Sequence, residues 1–230
     1  NFPNYFTSRQ ADIQDAIDDG IIIVASAGND SWKTVNSSDQ DYNNTCKVQY
    51  FGVNYTFYPH RGTGSAAGDA PVINVGALGN DDNEDKATFS NCGSQVDVYA
   101  AGEAINSSVH EKAGDVADPR LAGYNFDKYQ GTSMSGPQVA GVLACLAESW
   151  PNMTQTEAHA WIIDNDVEDL MFDTETDNPN DRQSLQGAPN RILRWINQRP
   201  ENGNTVPKKN FKPRPTNGRT YPRPNVRRRG

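Results

Sequence analysis

The feature that most constrains the fold is an apolar run that follows directly on a helical pattern. Residues 7–20, TSRQADIQDAIDDG, place Ile13 and Ile17 on one helical stripe and end at Gly20, a typical C-terminal stop. Residues 21–27, IIIVASA, are apolar without alternation, which predicts a strand that is buried on both faces. Together they predict an α/β fold with a mainly parallel sheet.

Further strands and helices continue this pattern along the chain. The sequence predicts strands at 71–78 (PVINVGAL) and 96–102 (VDVYAAG), a helix from about 133 to 149, and a second helix in NMTQTEAHAWII. Thr154 and Glu157 have the spacing of a capping box at the start of that second helix. The stretches 31–70 and 106–130 are predicted to be loops. The first helix–strand pair also predicts further strands upstream.

Length and charge divide the chain of 230 residues into a domain, 1–200, and a tail, 201–230. Residues 207–230 hold nine Lys or Arg, five Pro and no acidic residue, so this tail is expected to be extended or disordered. The rest of the chain carries all 29 acidic residues. Two interpretations of the tail stay open: a solubilising end, or an arm that docks on an acidic partner or nucleic acid.

The composition excludes a membrane-spanning helix, because no apolar run approaches the roughly 18 residues that would be needed. The chain opens with NFPNYFTSRQ, without Met, basic n-region or apolar h-region, which is typical of a processed chain or an internal fragment. No localisation follows directly from these features. An extracellular or virion-associated protein is expected rather than a cytoplasmic one.

Three cysteines, Cys46, Cys92 and Cys145, show no CxxC spacing, so a zinc site is not expected. Cys145 lies in the apolar helical run and is predicted to be a small buried residue. A disulfide between Cys46 and Cys92 and two free thiols are both left open.

The stretch GTSMSGPQVAGVLACL, residues 131–146, carries the strongest chemical signal. Ser133 stands at the predicted start of a helix, where free N–H groups and the positive end of the dipole favour a developing oxyanion. Asn29 follows the first strand, at the strand end where ligands bind in open α/β sheets, and its amide is a neutral donor. Position 135 is Ser, so the G-x-S-x-G elbow does not fit.

Both stretches, in this order, resemble the subtilisin-like serine proteases (subtilases, the peptidase S8 family). The segments that carry the resemblance are IIIVASAGND, APVINVGAL, ATFSNCGSQVDVYAAG, GTSMSGPQVAG and GAPNRILRW, within residues 8–196. Gln138 stands where the family usually has a histidine. The resemblance implies the C-terminal part of a subtilisin-like three-layer α/β domain with a mainly parallel sheet, lacking its N-terminal part.

The resemblance also implies roles by position. Ser133 would be the nucleophile, and Asn29 would form the oxyanion hole with the backbone N–H of Ser133. The Thr132 hydroxyl would be a weaker oxyanion donor. One wall of the S1 pocket would consist of Ala25, Ser26, Ala27 and Gly28. No cofactor would be required for the chemistry.

The chain departs from the family pattern before Asn29. The family's Asp and His motifs should precede that residue, and neither occurs in the sequence. We interpret His60, His110 and His159 as structural residues. The prediction is therefore a serine endopeptidase for peptide or protein substrates, with Asp and His expected upstream of residue 1 or on another chain. The alternative is an inactive structural subunit, anchored by its basic arm in a larger assembly such as a virion.

A structural Ca²⁺ is implied by the same resemblance. Its ligands would be the Asp97 carboxylate and the carbonyls of Ala70 and Val72, which are oxygen donors that suit Ca²⁺. Gln95 stands where many bacterial relatives carry Glu, which argues against a second cation site. The alternative is that Asp97 only accepts hydrogen bonds from a loop.

Overall fold

The computed structural model describes residues 7–61, 70–80, 85–110, 116–117, 119, 122–168, 170–171, 173 and 181–194. The predicted tail, 201–230, lies outside the described residues. In chain order the elements are α1 (Thr7–Asp18), β1 (Val24–Ser26), a 3₁₀ turn (Gln40–Asn43), β2 (Cys46–Tyr50), β3 (Val53–Phe57), β4 (Ile73–Leu78), β5 (Val98–Ala101), β6 (Ile105–Val109), β7 (Val116–Ala117), β8 (Asn125–Tyr129), α2 (Thr132–Ala147), α3 (Gln155–Asp164), β9 (Val167–Glu168) and β10 (Arg191–Ile192).

A five-stranded sheet with the order β1-β4-β5-β10-β9 forms the centre of the molecule. The first four strands are parallel to their neighbours, and β9 alone pairs antiparallel. Every side chain of β4 is buried, as expected of a strand that is covered on both faces. The predicted α/β fold with a mainly parallel sheet is confirmed.

Helices cover both faces of this sheet and give it three layers. On one face, Ile73 and Val98 of the sheet pack with Val139 of α2 and Trp161 of α3. On the opposite face, α1 places Ile13 and Ile17 against the buried residues Ala25, Ala70 and Val72. Among the described residues, no helix is both long enough and apolar enough to cross a membrane.

The helix ends follow the predicted stop and cap signals. Gly20 has a φ of 87° after α1, and Ile21 donates its N–H to the carbonyl of Ala16 at 3.0 Å. Thr154 and Glu157 form the predicted capping box at the start of α3.

The two stretches predicted to be loops contain short strands instead. Strands β2 and β3 form a hairpin, and β6, β8 and β7 form a small antiparallel sheet just before α2. The hairpin and the small sheet are largely exposed, so their strands lack a regular apolar face. At the tip of the hairpin the exposed fraction of Phe51 is 90%. Period-two patterning therefore gave no signal here. The first predicted strand, 21–27, is also shorter in the structure.

The prediction that Cys145 is buried is wrong. The core-facing side of α2 consists of Val139, Val142, Leu143 and Leu146, and Cys145 lies on the opposite, exposed side. The disulfide considered for the other two cysteines is not formed.

Both remaining cysteines are free thiols: Cys46 is exposed and Cys92 is buried. Burial raises the pKa of the Cys92 thiol to about 11.

Lys86 is a buried cation that links distant parts of the chain. Its side chain is 1% exposed, and its Nζ donates to the carbonyls of Ala87 (3.2 Å), Ser90 (2.9 Å) and Arg182 (2.6 Å). Burial lowers the pKa of this amine. Three carbonyl acceptors match its three N–H donors, which makes its burial tolerable.

Candidate functional site

The N-terminus of α2 is held at the carboxyl end of the central sheet. Gly131 donates its backbone N–H to the carbonyl of Gly102, just after β5, at 2.8 Å. The φ of Gly131 is 144°, a value that favours glycine at this position. The carboxyl end of β1 leads to Asn29 at the same edge. The topology therefore brings Asn29 and the start of α2 together.

Asn29 is fixed through its amide oxygen. Its Oδ1 accepts both the backbone N–H and the hydroxyl of Thr132, each at 2.9 Å. Since a backbone N–H must face an oxygen, these contacts also fix which way the amide is turned. The Nδ2 of Asn29 is therefore the outward end of the side chain, and it has no hydrogen-bond partner among the described residues.

The Thr132 hydroxyl is engaged on both sides. It accepts the N–H of Gly28 at 3.1 Å and gives its hydrogen to Asn29 Oδ1, and the side chain is fully buried. A hydroxyl has one hydrogen to donate. The structure thus gives Thr132 a positioning task, and direct donation from Thr132 to an oxyanion stays a prediction.

Ser133 is exposed in the first turn of α2. Its N–H belongs to the helix end whose donors lack intrahelical partners, and no described residue accepts from it. Its Oγ is likewise without a partner in the described part of the chain. The geometry therefore presents a hydroxyl beside two unused donors, the N–H of Ser133 and the amide of Asn29, at the positive end of a helix.

The predicted S1 wall follows β1. The side chains of Ala25 and Ala27 are buried in the core, whereas Ser26 and Gly28 are partly exposed. Gly28 has a φ of 102°, in the region where glycine is favoured. Any wall that these residues form would therefore consist mostly of backbone, and the substrate pocket itself stays a prediction.

Two supporting residues were given no role by sequence reasoning. Gln138 donates its amide to the carbonyl of Ala101 at 2.6 Å and to that of Met134 at 3.0 Å, which ties α2 to the end of β5. Gly102 lets the end of β5 pack closely against β4 and α2, because a Cβ there would lie 2.3 Å from Cβ of Ala77 and 2.7 Å from Oγ of Ser135. The AAG sequence at the end of a buried strand was the signal that could have found Gly102.

None of the three histidines makes a hydrogen bond or an ion pair with Ser133. His60 shares a 2.6 Å hydrogen bond with the carbonyl of Lys33, at the base of the β2–β3 hairpin. His110 is exposed. His159 contacts Asp97 at the other end of the sheet.

The predicted metal ligands do meet, in a cavity of about 320 Å³ at the amino end of β4 and β5. Ala70, Val72, Asp97 and His159 all line it. Asp97 Oδ2 accepts the N–H of Asn74 at 2.7 Å, and Oδ1 lies 3.0 Å from His159 Nε2. The hydrogen bond to Asp97 raises the pKa of His159, against the opposing effect of partial burial.

This donor set fits Ca²⁺ poorly. Ca²⁺ takes six to eight oxygen ligands, whereas both oxygens of Asp97 are already engaged and the Ala70 carbonyl accepts the N–H of Val72 at 2.7 Å. The buried Oδ1 of Asn74 is an acceptor without a hydrogen-bond partner. Among the described residues, no three His, Cys, Asp or Glu side chains group as a metal site. The structural Ca²⁺ that the resemblance implies is therefore untested, and the engaged oxygens of Asp97 and Ala70 argue against it.

The sequence of this chain is similar to the sequences of known proteins. The chain is 28% identical over 155 residues to subtilisin amylosacchariticus of Bacillus subtilis subsp. amylosacchariticus, which covers 67% of this chain and 31% of that protein. It is 32% identical over 165 residues to fervidolysin of Fervidobacterium pennivorans, covering 69% of this chain and 19% of the relative. The chain therefore spans a third or less of the length of these relatives.

Solved structures show the same fold. A cold-adapted subtilisin-like serine proteinase superposes with a TM-score of 0.55 at 20% identity, covering 84% of this chain and 52% of that one. A protease from Pseudoalteromonas arctica gives a TM-score of 0.52 at 21% identity, with 84% and 46% covered. The model of the subtilase family matches residues 3–193. The chain belongs to the subtilase family.

Proposed function

We propose that this chain is part of a serine endopeptidase in which Ser133 forms the acyl-enzyme. The observation that carries the proposal is the Asn29–Thr132 contact, which turns the free amide of Asn29 outward beside the unpaired N–H of Ser133. Two neutral donors next to an exposed serine hydroxyl are what a tetrahedral oxyanion requires. Membership of the subtilase family supports the same assignment.

In the proposed reaction, Ser133 Oγ forms a bond to the carbonyl carbon of a peptide. Its proton passes to a general base, and the oxyanion accepts hydrogen bonds from Asn29 Nδ2 and Ser133 N–H. The C–N bond then breaks as the amine takes the proton from the base. We propose that a His and an Asp from outside this sequence complete the triad, since the family's motifs for both are missing before Asn29.

A fluorophosphonate probe tests this proposal in the full-length protein. Covalent labelling of Ser133 is expected, and Ser133→Ala should abolish it while leaving the thermal midpoint of unfolding unchanged. Labelling that persists in Ser133→Ala would identify another serine. A folded protein that is never labelled would contradict the protease proposal and favour the alternative, a structural subunit of a larger assembly.

A further inference from the structure

The segment that carries Asn29 leaves the sheet and is exposed. Gly28 has left-handed backbone geometry, and Asn29 and Asp30 are both exposed to solvent. A donor for an oxyanion works only when its position is fixed before the reaction, and a displacement of about 1 Å costs on the order of 10²-fold in rate. Something beneath this segment must therefore hold its backbone.

Asn91 provides that support. Its side chain is 1% exposed. Its Nδ2 donates to the carbonyl of Ala27 at 2.8 Å, and its Oδ1 accepts the N–H groups of Asp30 (3.1 Å) and Trp32 (3.0 Å). Its backbone N–H donates to the carbonyl of Gly28 at 3.0 Å. These four hydrogen bonds flank Asn29 on both sides in the sequence.

An amide is the side chain that this arrangement demands. One side chain must carry both a hydrogen-bond donor and an acceptor, because it faces the carbonyl oxygen of Ala27 and the backbone N–H groups of Asp30 and Trp32. Aspartate would place an oxygen against the carbonyl of Ala27. Leucine would leave three backbone groups without this partner: the buried carbonyl of Ala27 and the part-buried N–H groups of Asp30 and Trp32. That loss is costly.

We propose that Asn91 is a positioning residue for the oxyanion donor Asn29. Asn91 holds the backbone of residues 27–32, while Thr132 holds the amide oxygen of Asn29 from the other side. Neither contact reaches the substrate. This inference rests on the proposed function only because that proposal gives Asn29 a role in catalysis. That Asn91 holds the backbone on both sides of Asn29 does not depend on the proposed function.

Gln155 offers a matched control at the opposite end of β1. It is 5% exposed, its Oε1 accepts the N–H of Ile23 at 2.7 Å, and its Nε2 donates to the carbonyls of Ile23 (3.1 Å) and Pro71 (2.9 Å). Like Asn91, it is a buried amide that clamps one flank of the strand. It lies far from Asn29 along β1, so changing it alters stability without touching the oxyanion segment.

The experiment compares Asn91→Asp with Gln155→Glu in the full-length protein. If the introduced carboxylate prevents folding, Asn91→Ala and Gln155→Ala form a second pair. Both variants of a pair should lower the free energy of unfolding measured in urea. Only the Asn91 variant should slow phosphonate labelling at saturating probe, by about tenfold to a hundredfold, with the probe's apparent affinity unchanged. Equal labelling rates in the two variants would overturn the proposal.

Hydrogen exchange separates this inference from the proposed function. The backbone N–H of Thr132 is protected by Asn29 Oδ1, although Thr132 makes no recorded contact with Asn91. It should exchange faster in Asn91→Asp and at the wild-type rate in Gln155→Glu. If wild-type protein is not labelled, the protease proposal fails, and this exchange rate still decides the role of Asn91. An unchanged rate would show that Asn91 does not hold Asn29.

Discussion

Within the part of the chain that the structure describes, Asn29 and Ser133 keep hydrogen-bond donors without partners at the carboxyl end of the central sheet. At the amino end the polar side chains largely satisfy one another. There, Asp97 meets His159 and the N–H of Asn74, and Gln155 uses both ends of its amide. Buried or half-buried polar groups that are paired stabilise a fold, while exposed unpaired donors next to a hydroxyl are available to a ligand. The same sheet thus separates a structural end from a reactive end.

The largest expected effect is a loss of reactivity when the oxyanion donor Asn29 is removed. Asn29→Ala should lower the rate of phosphonate labelling or of peptide hydrolysis by about 10²- to 10³-fold, a range that rests on subtilisin, a relative of this chain. The free energy of unfolding should also fall by about 1–3 kcal/mol, because the buried N–H and hydroxyl of Thr132 lose their acceptor. The rates are therefore compared under conditions in which both proteins are folded. A variant that retains the wild-type rate would show that the donor lies elsewhere.

Substitution of Thr132 tests whether its hydroxyl positions Gly28 and Asn29 at the reactive end. Thr132→Val should lower the free energy of unfolding by about 1–3 kcal/mol, since it leaves the N–H of Gly28 without an acceptor. Thr132→Ser keeps the hydroxyl and serves as the control. Urea unfolding of the two variants measures the difference, and equal stability would contradict the positioning task.

The amino end should stay indifferent to Ca²⁺. Because Asp97 is engaged by His159 and Asn74, we expect the same thermal midpoint in Ca²⁺ and in a chelator. A midpoint that rises in Ca²⁺, and no longer rises in Asp97→Asn, would establish the metal site that the sequence suggested. A rise that survives in Asp97→Asn would place the ion at another site.

The smallest expected effect concerns the capping box of α3, at the same amino end. Hydrogen bonds from Thr154 lower the pKa of the Glu157 carboxyl below its ordinary value of 4.5. Its contribution to stability is therefore complete above that value and is lost as the pH falls through the lower folded pKa. Glu157→Gln should reduce this loss when urea midpoints are compared between neutral and acidic pH. Parallel pH profiles would contradict the assignment.

The sequence predicted those parts of the fold that a local pattern encodes. The strand IIIVASA, the helix α2, the stop at Gly20 and the Thr154–Glu157 cap each depend on neighbouring residues. The exposed β2–β3 hairpin and the orientation of Cys145 depend on what lies across from them, so local patterning could not give them.

The candidate site divides in the same way. Ser133 and Asn29 were found because each borders an element with a clear pattern. Asn91, the contact of Gln138 with Ala101 and the engaged hydroxyl of Thr132 were not, because these partners are 37 to 104 residues apart in the sequence. His159 was interpreted as a structural residue, but its partner was not predicted: it contacts Asp97 at the amino end and so joins α3 to the start of β5.

The contacts of Lys86 affect the order in which parts of the protein can fold during synthesis. Its third acceptor, the carbonyl of Arg182, is 96 residues further along the chain. The loop that it ties down leads to Asn91, and Gly93 donates its N–H to the carbonyl of Leu185 at 3.0 Å. During synthesis the loop that carries Asn91 therefore cannot make all of its contacts until residues 182–185 have left the ribosome. Contacts of such long sequence separation form slowly, so the oxyanion segment should be among the last parts of the nascent protein to become ordered.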